Sequence, residues 1–242
     1  MEKQKKLLLT TDNSLIYYEI TGQGSPLFLL HGNGGSGKYF ENQIPEFSRY
    51  FTVFTVDSRG HGRSTNQSDS LYFEQMADDL YAIMKQENVL KADILGFSDG
   101  ANLAMVFTKK YPTMVHRLVL NAGNTKVEGI FWPFRVLTRI EYIGLSLVAL
   151  FSKKVKKRQL IVRLMLKNIG VSTIDLRRIP AKTLVIVGKY DLIKRAHTLY
   201  IAKEIPNASF VSVPKQGHSF AKKVPKLFNK EVLRFLKEKK VD

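Results

Sequence analysis

Short runs of apolar residues, each ended by glycine or by polar residues, recur along most of the chain. They read PLFLL, FTVFTV, ADIL, RLVL, TLVIV and SFVSV. Runs that are apolar at odd and even positions alike are typical of strands buried on both faces of a parallel sheet. The stretch at 71–89 places Met76, Leu80 and Ile83 at spacings near 3.6, which predicts a helix. Strands that alternate with helices predict an α/β fold with a mostly parallel central sheet and helices on both faces.

Two segments depart from this alternation. At the start, LLLTT and LIYYEITG predict two short strands joined by a turn at 12–14. Later, residues 124–179 contain no strand-like run and predict two or three amphipathic helices. We therefore expect one domain whose core comprises residues 1–123 and 180–242, with a helical insertion at 124–179 over one edge of the sheet.

The composition bounds the function classes without choosing among them. The chain has 242 residues, no cysteine and a formal net charge of +17. The lack of cysteine excludes disulfides, thiolate catalysis and cysteine-ligated metals. The positive charge favours anionic partners, although a lysine-rich solvated surface accounts for it equally well. No nucleic-acid-binding module is recognisable, so we predict a small-molecule substrate and no nucleic-acid partner.

No segment of the sequence predicts export or a membrane span. The basic N-terminus is followed by an apolar run of only LLL, which is too short for the core of a signal peptide. The longest apolar stretch, YIGLSLVALF at 142–151, is about half the length that a membrane-spanning helix requires. We expect a cytoplasmic location.

The segment LGFSDGA at 95–101 places Ser98 between Gly96 and Gly100 directly after an apolar run. A sharp turn from strand to helix strains its central residue and crowds the positions two before and two after it, where only glycine avoids a clash. Such a turn exposes the serine hydroxyl at the carboxyl end of the strand, where ligands bind in open α/β sheets. The backbone N–H of Asp99 would then point toward developing negative charge.

Three further segments place polar groups at predicted strand ends. The glycine-rich run HGNGGSG follows an earlier strand, where a second N–H donor to an oxyanion would lie. Asp191 in VGKYD and His218 in KQGHS each follow another predicted strand. Carboxyl ends of parallel strands meet at one edge of a sheet, so these groups are expected near Ser98.

Together these segments resemble the serine-nucleophile branch of the α/β hydrolase superfamily, of the carboxylesterase-like kind with a helical lid. The resemblance extends from about residue 15 to residue 236. It is carried, in this order, by HGNGGS at 31–36, DSRGHGRS at 57–64, GFSDG at 96–100, GKYD at 188–191 and GH at 217–218.

The resemblance implies a role for each matching residue. Ser98 would be the nucleophile, His218 the general base and then acid, and Asp191 the carboxylate that orients the imidazole. The oxyanion hole would comprise the backbone N–H groups of Asn33 and Asp99, with Gly34 as the next candidate in the same loop. The insertion at 124–179 occupies the place of a lid or cap.

Two positions depart from the family pattern. Position 99 is an aspartate where a neutral residue is common, but the required donor is a backbone group and the carboxylate suits a helix N-terminus. The strand at 118–120 ends in Asn121, where some relatives carry the triad acid, which favours Asp191 for that role. His31, His61 and Asp57 lie in family motifs, and we interpret them as residues that hold loops.

The apolar residues of the insertion leave more than one interpretation open. Phe131, Trp132 and Phe134 are candidate substrate-binding residues in an apolar acyl pocket, or they cover the catalytic face. With the basic cluster KKVKKR at 153–158, the insertion could also dock on an anionic membrane surface.

The resemblance therefore leads to a hydrolase of apolar acyl or aryl carboxylic esters that forms an acyl-enzyme intermediate. It would need no cofactor and no metal. The same fold can act on carbon–carbon, thioester or amide bonds, and a non-hydrolytic ligand-binding protein is the alternative from another class.

Overall fold

The computed structural model describes residues 3–238, and a single eight-stranded sheet runs through them. From one edge to the other the strand order is β1-β2-β4-β3-β5-β6-β7-β8. The strands are β1 (Lys3–Leu9), β2 (Leu15–Thr21), β3 (Ser25–Leu30), β4 (Phe51–Val56), β5 (Ala92–Phe97), β6 (Val115–Asn121), β7 (Lys182–Tyr190) and β8 (Ala208–Gly217).

The sheet is mostly parallel, as the apolar runs predict. The strand pairs β1–β2 and β2–β4 are antiparallel. The other six strands, in the sheet order β4-β3-β5-β6-β7-β8, all pair in parallel. The first two strands form a hairpin whose turn contains Asn13 at a φ of 60°. The predicted turn at 12–14 is thus confirmed. Strand β5 is buried throughout, and β3 and β6 are buried over their last four residues, which explains why these stretches are apolar at consecutive positions.

Helices cover both faces of the sheet. Along the chain these are α1 (Ile44–Phe47), α2 (Phe73–Gln86), α3 (Asp99–Lys110), α4 (Trp132–Ala149), α5 (Lys153–Leu164), α6 (Thr173–Arg177), α7 (Arg195–Glu204), α8 (Phe220–Lys223) and α9 (Pro225–Leu236). One apolar core lies under α2 and α3, and a second lies under α1, α8 and α9 on the opposite face. The amphipathic pattern at 71–89 corresponds to α2, whose apolar side chains are buried.

All the secondary-structure elements between β6 and β7 are helices. It contains a short 3₁₀ turn at 127–129 followed by α4, α5 and α6, so the expectation of two or three helices is met. Helices α4 and α5 form a hairpin, which an ion pair between Arg158 and Glu141 and a hydrogen bond from Gln159 to Ser146 hold together. Helix α5 buries Leu160 and other apolar residues against the body, while α4 buries none.

The loop after β4 is fixed by a buried guanidinium. Arg59 is 3% exposed and donates two hydrogen bonds to Asp79, at 2.7 and 2.6 Å, and one to Asp12 at 2.6 Å. The two carboxylates compensate the positive charge of Arg59, whose burial without partners would destabilise the fold. The arrangement connects the β1–β2 turn, the loop after β4 and helix α2. Within residues 3–238, no helix is both long and apolar enough to cross a membrane.

Candidate active site

Ser98 lies at the turn between β5 and α3, in the strained backbone conformation that the glycine spacing predicts. Its φ of 54° and ψ of −119° lie in a region that non-glycine residues rarely adopt. A Cβ at Gly96 would overlap the backbone of Gly100, and one at Gly100 would overlap the backbone of Leu30 on the neighbouring strand. The two glycines therefore allow the turn to pack against β3, and this packing holds the strained serine in place.

The side chains of Ser98, His218 and Asp191 form one hydrogen-bonded relay. Nε2 of His218 lies 3.0 Å from Oγ of Ser98, and Nδ1 of His218 lies 2.8 Å from Oδ1 of Asp191. The three residues follow β5, β8 and β7, so the carboxyl ends of parallel strands bring them together from positions 98, 218 and 191. In this geometry Nδ1–H donates to the carboxylate, which leaves Nε2 free to accept the serine proton.

Asp191 is held by the turn that follows β7. Its Oδ1 also accepts a hydrogen bond from the backbone N–H of Ile193 at 2.9 Å, and the residue is 7% exposed. At the end of β6, Asn121 is fully buried and donates to the carbonyl of Ile186. Of these two strand ends, only β7 supplies a carboxylate to His218.

The glycine-rich loop after β3 lies directly beside the serine. A Cβ at Gly32 would come within 3.1 Å of the Ser98 Cβ, so the backbone of this loop approaches Ser98 closely. Asn33 and Asp99, the two residues predicted to form the oxyanion hole, line the same cavity as Ser98. Asp99 is the first residue of α3, where backbone N–H groups lack partners within the helix.

A buried network of amide side chains surrounds the carboxyl group of Asp99. Nδ2 of Asn33 donates to one of its oxygens at 2.8 Å, and Nδ2 of Asn102 donates to the other at 3.1 Å. Asn102 is itself fixed by two hydrogen bonds with Asn124. Burial raises the pKa of Asp99 to about 6, although both amide donors favour the ionised form. A carboxyl group with a raised pKa thus lies beside Ser98.

Asn33 also connects this network to the helical insertion. Its Nδ2 donates to the carbonyl oxygen of Ile161 in α5 at 2.7 Å. One side chain therefore contacts both the insertion and Asp99, while its own backbone belongs to the loop beside Ser98. The position of α5 is thereby coupled to the predicted oxyanion hole. The sequence predicts a role only for the backbone of Asn33, and no pattern in it indicates this side-chain contact.

The remaining residues of the family motifs hold loops, as interpreted from the sequence. Nε2 of His31 accepts a hydrogen bond from the backbone N–H of Ser58. Asp57 accepts from the backbone N–H groups of Gly37 and Arg63, at 2.7 and 2.9 Å. Burial lowers the pKa of His31 to about 4 and that of His61 to about 3, so both rings are neutral at pH 7.

The cavity that contains Ser98, which we call the Ser98 cavity, has a volume of about 330 Å³. Its apolar wall includes Ile130, Leu164, Met165 and Leu192, and its polar wall includes Asp99, Asn102, Asn124 and Lys167. Most of the apolar wall comes from the insertion and from the turn after β7.

The three predicted substrate-binding residues lie elsewhere. Phe131, Trp132 and Phe134 are 46%, 68% and 47% exposed and do not line the Ser98 cavity. They lie at the start of α4, which turns its apolar side chains outward, so their prediction as pocket residues is wrong for this conformation. The apolar residues that do reach the cavity include Leu164 and Met165, at the end of α5. No motif in the sequence marks these two residues as cavity residues.

A larger depression, of about 720 Å³, lies between β2 and the loops that follow β3 and β4. It is lined by Tyr17, Glu19, Asp57 and Arg63 among others. Asp57 and Glu19 are both engaged by hydrogen bonds or ion pairs within the protein. The depression contains none of the relay residues, so we assign the chemistry to the smaller Ser98 cavity.

Comparison with known proteins finds similar sequences and structures. Residues 25–139 match the family model described as alpha/beta hydrolase fold. The chain is 28% identical to the human serine hydrolase BPHL, over 91% of this chain and 82% of that protein. It is 25% identical to a putative carbamate hydrolase, RutD of Caulobacter vibrioides, over 91% and 95%.

The solved structures show the same fold over nearly the full length. MGS-M2, an alpha/beta hydrolase from a Medee basin deep-sea metagenome library, superposes with a TM-score of 0.83 at 23% identity, over 98% of this chain and 99% of that one. The chain therefore has the alpha/beta hydrolase fold. It is a hydrolase of that fold.

Proposed function

We propose that this protein is a serine hydrolase that cleaves carboxylic esters through an acyl-enzyme intermediate. Oγ of Ser98 attacks the ester carbonyl while Nε2 of His218 takes its proton, and the same imidazole then protonates the departing alcohol. A water molecule, deprotonated by His218, releases the acid and restores Ser98. The observation that carries the proposal is the position of one imidazole within hydrogen-bond reach of both Ser98 and Asp191.

Charge that develops in the transition state would be stabilised at two places. The carbonyl oxygen becomes an oxyanion, and the backbone N–H groups of Asn33 and Asp99 are proposed to donate to it. The imidazole becomes positively charged, and the carboxylate of Asp191 stabilises it at a distance of 2.8 Å. Both groups are fixed before substrate binds, since Asp191 is held by the N–H of Ile193 and Asp99 begins α3.

The Ser98 cavity supports small to medium neutral acyl groups as substrates. Its volume of about 330 Å³ is at the lower end of the range for small-molecule sites. Leu164 and Met165 offer an apolar wall to a neutral acyl chain. We propose that the insertion at 124–179 acts as a lid, because its α5 lines this cavity and contacts Asn33.

The test combines an active-site probe with a substrate panel. A fluorophosphonate should label the wild-type protein and not Ser98→Ala, and p-nitrophenyl esters of increasing chain length should be hydrolysed by the wild type and not by Ser98→Ala. Ser219→Ala is the matched control, because Ser219 lines the same cavity but lies outside the relay, so labelling should persist. Thioester and anilide analogues would show which bond type is preferred. A folded wild-type protein that is neither labelled nor active would support a ligand-binding protein instead.

A further inference from the structure

The hairpin of α4 and α5 exposes large apolar side chains at its tip. Leu147, Leu150 and Phe151 are 67%, 80% and 89% exposed. We call residues 147–157 the hairpin tip. Contiguous apolar surface of this kind is unfavourable in water, and on natural proteins it marks a surface that binds something. The fold itself does not need these side chains, because they contribute nothing to either apolar core.

The exposed apolar surface continues along the outer face of α4. Trp132, Val136, Ile140 and Ile143 recur at intervals of three or four residues and are all more than 45% exposed. This is the spacing of one helical stripe, and Leu147 extends it into the hairpin tip. The inner face, which includes Tyr142, is only partly exposed because it packs toward α5. The outer stripe therefore points away from the rest of the protein.

The hairpin tip also carries lysines, which follow its apolar side chains in the sequence. Lys153, Lys154 and Lys157 are exposed, and among residues 3–238 none of the three has a carboxylate partner. Their neighbours differ, since Lys156 pairs with Asp69 and Arg158 with Glu141. An apolar surface flanked by uncompensated positive charge is complementary to one kind of surface in particular, an apolar layer beneath anionic head groups.

We propose that the hairpin tip and the outer stripe of α4 dock on the surface of an anionic lipid bilayer. Leu150 and Phe151 would enter the boundary between head groups and acyl chains, while Lys153, Lys154 and Lys157 contact lipid phosphates. A second copy of the chain fits this surface less well. A two-fold symmetric contact through the tip would oppose identical lysine clusters on molecules that each carry a formal charge of +17.

Both parts of the surface should contribute measurably. Removing a large apolar side chain that is fully buried in the bilayer lowers affinity about tenfold or more. Each lysine near an anionic surface contributes roughly a fivefold factor at low salt. Binding should therefore need both anionic lipid and the apolar tip, and it should weaken as the salt concentration rises.

The test uses the full chain with vesicles of phosphatidylcholine, with and without phosphatidylserine. Cosedimentation should show strong binding to the anionic vesicles and weak binding to the neutral ones. Trp132 supplies a second readout, since it is the single tryptophan of the chain and is 68% exposed on the proposed surface. Its fluorescence should shift to shorter wavelength when anionic vesicles are added and remain unchanged with neutral vesicles.

Two variants separate the proposed surface from general surface properties. Leu150→Ser combined with Phe151→Ser should reduce vesicle binding at least tenfold. Lys153→Gln combined with Lys154→Gln should also reduce vesicle binding at least tenfold when the salt concentration is low. The matched control is Leu90→Ser with Lys91→Gln. This control also removes a highly exposed leucine, which is 84% exposed, and the exposed lysine next to it. Both residues lie in the loop between α2 and β5, outside the proposed surface. This control should bind as the wild type does.

The proposal does not depend on the chemistry at Ser98, and its test can fail separately from that of the proposed function. It is overturned if the wild type does not bind anionic vesicles, or if the tip variants bind as well as the Leu90–Lys91 control. It is also overturned if sedimentation velocity without lipid shows self-association that the tip variants abolish, because the occupant is then a second copy. Vesicle binding that is lost only in the tip variants supports it.

Discussion

Helices α3 and α4 contrast in how far the fold constrains them. Helix α3 buries ten of its twelve residues, whereas none of the eighteen residues of α4 is buried. The small residues of α3 allow it to lie against the sheet and to hold Ser98 at its start. Most apolar residues of α4, such as Trp132, Ile140 and Leu147, are exposed, so burial within this chain does not explain them. Apolar sequence alone therefore does not distinguish a core helix from an interaction surface.

The largest effect should follow from breaking the relay that α3 helps to build. Asp191→Asn should lower kcat for a p-nitrophenyl ester by about four orders of magnitude, since an amide in place of the carboxylate favours the wrong tautomer of His218. Trp132→Ala on α4 should change kcat by less than about threefold, because Trp132 lies outside the Ser98 cavity. Steady-state kinetics on both variants measures the difference. Comparable losses would show that α4 closes over the substrate and belongs to the site.

The next effect is on stability, and it concerns the glycine within α3. In Gly100→Ala the new methyl group would overlap the carbonyl group of Leu30, and the contact is with backbone, which cannot rotate away. We expect a loss of more than about 4 kcal/mol in the free energy of unfolding, or failure to fold. Urea unfolding monitored by circular dichroism, or soluble yield where the protein does not accumulate, checks this. Near-wild-type stability would mean that the β5–α3 turn is looser than the structure shows.

Much of this site was predictable from the sequence for a physical reason. The turn at Ser98 needs glycines at two fixed positions, and short-range steric rules of that kind leave a pattern in the chain. Asp191 and His218 could be placed because each follows an apolar run and parallel strands end together. The alternation of runs predicted the sheet in the same way.

Other contacts left no such pattern. The hydrogen bond from Asn33 to the carbonyl of Ile161 joins residues 128 positions apart and depends on how α5 packs. The same packing decides that Leu164 and Met165 reach the cavity while Phe134 does not. Amphipathic periodicity gives each helix an apolar face, but the direction in which that face points is set by tertiary contacts.

A third prediction concerns the carboxyl group of Asp99 and the pH dependence of stability. Burial raises its pKa from 3.8 to about 6, so between these values the folded state binds more protons than the unfolded state. Its contribution to stability is therefore greatest at low pH and is lost as the pH rises through 6. The change amounts to about 3 kcal/mol if the full shift is realised.

Asp99→Asn isolates this contribution, because an amide does not titrate. The variant's free energy of unfolding minus that of the wild type should rise by up to about 3 kcal/mol from pH 4 to pH 8, whatever its value at pH 4. Subtracting the wild-type value cancels the other titrating groups. Comparing that difference between two pH values also cancels the donor–donor contact that the new amide makes with Asn33 or Asn102, because this contact does not depend on pH. Urea titrations across this range provide the measurement. A difference that does not change with pH would show that the folded protein does not raise the pKa of Asp99.

The smallest effect should come from the glycine of α4, and it has the opposite sign to that at Gly100. A Cβ at Gly144 would meet no atom within 4 Å, and the residue lies in the interior of an exposed helix. Gly144→Ala should therefore raise the free energy of unfolding by about 0.5–1 kcal/mol, because alanine loses less conformational entropy in a helix. Thermal or urea unfolding detects this, provided that esterase activity is unchanged. A destabilised variant would show that another surface already packs on α4, and the contrast between the two helices would not hold.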